Sequence, residues 1–196
     1  MNRNANREGK ISRFQTQVTS LGGHFATVPN MLAIREYINR VASTSSARQI
    51  ALSSGISKEK LFSYDPVSFD IATQSEMSRE AFYAALKTVK IGVSTVDLGV
   101  AETGTLIAAT SDESDRLVTA LPEIHVALLP RSRLVFSLRD AEPHISRLLK
   151  EGDHVVISLI SASSRTTDIG GLLVLGVHGP KEFHVLLLDQ EPNGGA

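Results

Sequence analysis

The chain has 196 residues, 42% hydrophobic and 21% charged, with a formal charge of −1 at pH 7 and no cysteine. This is the composition of a globular domain, and the missing thiols exclude disulfides, thiolate zinc sites, a catalytic thiol and any iron–sulfur cluster held by the chain's own cysteines. Near-neutral charge, 5% aromatics and no tryptophan also exclude a basic, base-stacking surface for nucleic acid.

The opening stretch is polar, so residues 1–10 are expected to be disordered and no signal-peptide-length apolar run is present. Ile11, Phe14, Val18 and Leu21 then mark one face of a helix that Gly22 and Gly23 end. A strand, HFATV, is followed by Asn30 as N-cap of a helix whose core side is Leu32, Ile34, Ile38 and Val41. The strand RQIALSS after it suggests a parallel crossover. Thr73 and Glu76 match a capping box ahead of a helix that buries Ala81, Phe82, Ala85, Leu86 and Val89.

Further strands are expected at LGVA, TLIAAT, EIHVALLP, RLVFS, HVVISLIS, LLVLGVH and FHVLLLD, with a helix between Leu138 and Lys150. Near-continuous apolar strands are covered on both faces, which predicts an α/β three-layer sandwich with a mostly parallel sheet. The short HGPKE link predicts an antiparallel C-terminal hairpin around Gly179 and Pro180. One domain is expected over 11–190 with a flexible tail at 191–196, and every apolar run is too short to span a bilayer, which suits a cytoplasmic protein.

Dinucleotide and P-loop glycine fingerprints are absent, and none of the six histidines has HxxxH or HxH spacing, so no metal is expected. Three segments interrupt the apolar strands with chemistry. In GVAETGTLIAA, Glu102 could serve as base, nucleophile or acceptor, while Thr103, Gly104 and Thr105 let backbone approach a ligand; a tight turn is the competing explanation. In ISLISASSRTTDIGG, Ser164, Arg165, Thr166 and Asp168 could cradle a carboxylate or phosphate, or form an ordinary helix start. His178, between glycine and proline in LGVHGP, could face a ligand or simply bond backbone.

Together VAETGTL, LPEIHVALLP, SSRTTDI and LGVHGP stand in the order and spacing of the LUD, or lactate utilisation, domain family, which the chain resembles over most of its length. Ala162 and Ser163 replace the glycine and proline that often precede the family's SRT element. The resemblance implies the three-layer fold of the sugar-phosphate isomerase, CoA-transferase and formyltetrahydrofolate cyclo-ligase (NagB/RpiA/CoA transferase-like) superfamily. It further implies a non-redox subunit of a bacterial system oxidising L-lactate to pyruvate, whose two partner subunits carry the iron–sulfur clusters, with no cofactor in this chain. The alternative is a small-molecule enzyme in which Glu102 forms an acyl-thioester, as a strand-end glutamate does in CoA transferases. Fold likeness alone does not choose between them.

Overall fold

The structure is a computed structural model that describes residues 3–62, 69–152, 154–163, 165–166, 174–175 and 179–189. The chain runs through α1 (Arg3–Ser20), β1 (His24–Val28), α2 (Met31–Ser45), β2 (Gln49–Leu52), α3 (Lys58–Phe62), β3 (Asp70–Thr73), α4 (Arg79–Leu86) and β4 (Ile91–Thr95). It continues through β5 (Leu98–Val100), β6 (Thr105–Thr110), α5 (Glu113–Ala120), β7 (Ile124–Pro130), β8 (Leu134–Val135), α6 (Leu138–Glu151) and β9 (Val156–Ile160). The last strands are β10 (Arg165–Thr166), β11 (Val174–Leu175) and β12 (Glu182–Leu188).

Six strands form one wholly parallel sheet in the order β1-β12-β7-β4-β2-β3. Central β7 explains why: all seven residues of IHVALLP are buried, and alternate side chains serve opposite faces. Ile124, Val126 and Leu128 join Ile34, Ile38 and Val41 of α2 and Leu61 and Phe62 of α3. Ala127 and Leu129 meet Phe14 and Val18 of α1. Each such fully buried large side chain contributes about 1.5–3 kcal/mol, so this strand anchors both layers.

On the α1 side, Ala51 and Ala72 of the sheet meet Phe82 and Leu86 of α4 and Val118 of α5. A second, mixed sheet in the order β8-β5-β6-β9 lies on this side too, since Leu106 and Leu134 pack into the α1 cluster. Its own outer face is covered through Ala141 and Ile145 of α6. The mostly parallel α/β architecture is thus as the strand pattern implies.

Several details differ from the sequence expectation. The first helix begins at Arg3, within the stretch expected to be disordered, and Lys10 Nζ donates to the Leu134 carbonyl at 3.0 Å. The capping box at Thr73 and Glu76 gives way to Ser78, whose side chain accepts from the Ala81 amide of α4; Thr73 instead ends β3. β11 pairs antiparallel with β10, while β12, beyond Gly179 and Pro180, enters the main sheet parallel between β1 and β7. The antiparallel pair therefore lies one strand earlier than expected, because the apolar FHVLLL run is buried better inside the sheet than in a two-stranded ribbon. Finally, IGVST and DIAT were not among the expected strands, yet they are β4, near the sheet's centre, and β3, at its edge; α3 and α5 were likewise not expected. The tail 191–196 lies outside the described residues.

Candidate functional site

Beyond β2 the chain turns to α3, which packs with α2; beyond β4 it turns to the second sheet and α5 on the opposite face. Where neighbouring parallel strands send the chain to opposite faces, their carboxyl ends leave a crevice. A cleft of about 520 Å³ sits there, floored by Ser53, Ser54 and Gly55 after β2 and by Ser94, Thr95 and Asp97 at the end of β4. Ala108 and Ala109 of β6, Ser158 of β9 and the end of α6 form its opposite wall.

The cleft's carboxylates hold its walls. Asp115 of α5 accepts from the Ser54 amide at 2.8 Å and from the Ser54 hydroxyl at 2.6 Å. Asp97 accepts from the Ala109 amide at 2.7 Å and ties β4 to β6. Arg116 and Arg133, both half-buried, also line the cleft, and among the described residues neither guanidinium has a carboxylate partner. Two forks with no carboxylate partner among the described residues, set among hydroxyls with Asp97 and Asp115 already bonded, make a surface suited to a small anion. Among the described residues, no histidine lines this cleft.

Beneath it, the Ser94 hydroxyl lies 2.9 Å from Nε2 of His125, and both residues are buried. Burial pushes the His125 imidazole down to about 4, with His184 a smaller contributor, so the ring is neutral at pH 7. Nδ1 of His125 has no partner among the described residues.

Of the expected site residues, Glu102, Thr103, Gly104 and Thr105 lie outside the described lining of the cleft. Glu102 Oε1 accepts from the Leu138 amide at 3.1 Å and thereby anchors the first turn of α6. Gly104 has φ +71°, and a Cβ there would meet Val18 N at 2.9 Å, so its bare backbone admits α1. Thr103 donates to Thr105, whose hydroxyl lies 2.9 Å from that of Ser161. This chain of hydroxyls joins the AETGT turn to Ser161, at the start of the ISASSRTTD segment. That contact lies at the amino end of β6, whereas the cleft is lined by its later residues. Arg165 and Thr166 form β10, and Ser164, Asp168 and His178 lie outside the described residues. The residues that sequence reasoning passed over are Ser53, Ser54, Ser94, Thr95, Asp97, Asp115, Arg116 and Arg133. Their signal was present in IALSSG and GVSTVD, two apolar strands each ending in paired hydroxyl residues.

These features define an open-sheet α/β domain with a polar crevice beyond its strand ends. The chain belongs to the LUD domain family, whose model matches residues 11–188. It is 35% identical over 102 residues to "Lactate utilization protein C" of Shouchella clausii, covering 52% of this chain and 44% of that protein. It is 31% identical over 153 residues to the protein of the same name from Anoxybacillus flavithermus, covering 76% and 63%. The match thus spans about half the length of such relatives. A crystal structure of a DUF162 family protein from Deinococcus radiodurans has the same fold, with TM-score 0.67 and 18% identity over 93% of this chain and 98% of that one. No helix among the described residues is long and apolar enough to cross a membrane.

Proposed function

We propose that this chain is a cytoplasmic, non-redox subunit of an iron–sulfur system that oxidises L-lactate to pyruvate. In this reading it docks two iron–sulfur partner subunits and holds a small carboxylate or phosphate in the crevice. The observation that carries the ligand half is the pair Arg116 and Arg133, unpaired among the described residues while Asp97 and Asp115 are bonded to N–H and O–H donors. Membership of the LUD family and the names of the relatives support the lactate half. The lack of cysteine, which leaves no thiolate to hold an iron–sulfur cluster, supports the reading that electron transfer belongs to the partners. Glu102 is occupied at the first turn of α6, outside the cleft lining, which favours ligand holding over acyl transfer at that carboxylate.

The test is complementation of a deletion strain lacking other lactate dehydrogenases. The wild-type gene restores growth on L-lactate, and the Arg116→Ala, Arg133→Ala double variant, expressed at equal level, does not. Co-purification of cysteine-rich partners with lactate-dependent dye reduction supports the subunit role. Unimpaired growth of the deletion strain overturns it.

A further inference from the structure

Away from the crevice, at the amino-terminal edge of the parallel sheet, three potential ligands come together from remote parts of the sequence. His24 opens β1, Glu182 opens β12, and the pairing register sets His24 directly beside His184. Residues two apart on a strand share a face, so Glu182 and His184 point the same way. The His24 and His184 rings stack at 4.3 Å, Glu182 Oε2 lies 3.3 Å from His184 Nε2, and one ligand atom from each of the three lies within 4.8 Å of the others.

We propose that His24, His184 and Glu182 form a binding site for one divalent transition-metal ion of the zinc class. Two imidazoles and a carboxylate are an established ligand set for such ions, with solvent completing the coordination. Metal–ligand bonds of about 2.0–2.1 Å require ligand atoms roughly 3.3–3.5 Å apart in a tetrahedral site. His24 and Glu182 are exposed and rotate to close that difference, whereas His184 is only 5% exposed and fixed.

What fixes it is Tyr37 of α2, whose hydroxyl lies 2.9 Å from Nδ1 of His184. The Arg40 guanidinium stacks over the Tyr37 ring at 4.9 Å and steadies it in turn. With Nδ1 engaged by Tyr37, Nε2 is the nitrogen turned toward Glu182 and the ion. A hydrogen bond to the non-ligating nitrogen is how proteins set a ligand histidine's tautomer and ring angle. Tyr37 is therefore the positioning residue of this site.

The test is titration of untagged, metal-stripped full chain with Co²⁺, read by its visible d–d absorption, followed by displacement with Zn²⁺. One equivalent binds, and His24→Ala and Glu182→Gln, both at exposed positions, each weaken binding at least ~10-fold while circular dichroism is unchanged. Tyr37→Phe leaves all three ligands in place yet weakens binding by about 10-fold or more, as loss of a ligand's orienting partner does. A featureless titration, or an affinity equal in wild type, His24→Ala and Glu182→Gln, overturns the site.

Discussion

The 2.9 Å contact between Ser94 Oγ and His125 Nε2 joins the floor of the crevice to the middle of the parallel sheet. The imidazole is sealed between β4 and β12, which flank β7, and lies 5.8 Å from the Phe183 ring. A histidine buried in this way is a neutral hydrogen-bonding partner, and its protonation is coupled to unfolding.

That coupling predicts an acid-sensitive fold. The folded His125 titrates at about 4, below the ordinary value near 6.5, so the unfolded chain binds more protons between those limits. Stability from this residue is intact above about pH 6.5 and declines as pH falls toward 4. Between pH 7.5 and 5 the decline is about 2 kcal/mol. Urea unfolding at several pH values reads it. His125→Gln, which keeps a hydrogen-bonding group beside Ser94, should lose that share of the pH dependence; an unchanged slope would show that His125 is protonated in the folded state.

Gly92 should tolerate no side chain. A Cβ there would collide with the Val118 carbonyl oxygen and stand 2.9 Å from Pro122 Cγ, so α5 would have to leave β4. Gly92→Ala is expected to cost about 3 kcal/mol or more, seen as a lowered thermal midpoint. A midpoint within a degree of wild type would mean that α5 packs differently.

Asp115 should matter first to the shape of the crevice. Its two bonds to Ser54 hold the loop after β2, and Asp115→Ala removes both. The expected loss is about 1–3 kcal/mol in denaturant unfolding, together with faster amide exchange at Ser54. Unchanged exchange there would show that the loop is held by other contacts.

Glu102 separates the two chemical readings. Glu102→Gln retains an oxygen to accept from the Leu138 amide and should support growth on L-lactate. Glu102→Ala should lose roughly 1 kcal/mol of stability, as other helix-terminal acceptors do. Loss of lactate growth in a stable glutamine variant would restore Glu102 as a reacting group.

The strands buried on both faces were legible because β7 and β12 read as unbroken apolar runs, and strand burial of that kind implies helices above and below. β4 was not, since Gly92, Ser94 and Thr95 dilute its pattern; Gly92 exists for α5, and Ser94 for His125. The crevice was missed for the same reason. Its residues are small hydroxyls at strand ends, ordinary as local signals and gathered only by a strand order that single-chain periodicity does not encode. Glu102, Thr105 and Ser161 attracted attention as polar breaks, and they are indeed joined or anchored, chiefly by contacts between elements. His24 and His184 have no motif spacing because parallel pairing of β1 with β12 alone brings them together.

The most direct test of the crevice is an amide-resolved NMR titration of the full chain with L-lactate, pyruvate and inorganic phosphate. The account predicts saturable shifts at Ser54, Thr95, Asp97 and Ala109 for at least one of these anions. It also predicts an affinity weakened about 100-fold in the Arg116→Ala, Arg133→Ala variant, the equivalent of about 2.7 kcal/mol from two charge-assisted contacts. Saturable shifts confined to Thr105 and Ser161, or binding unchanged in the double variant, would contradict it.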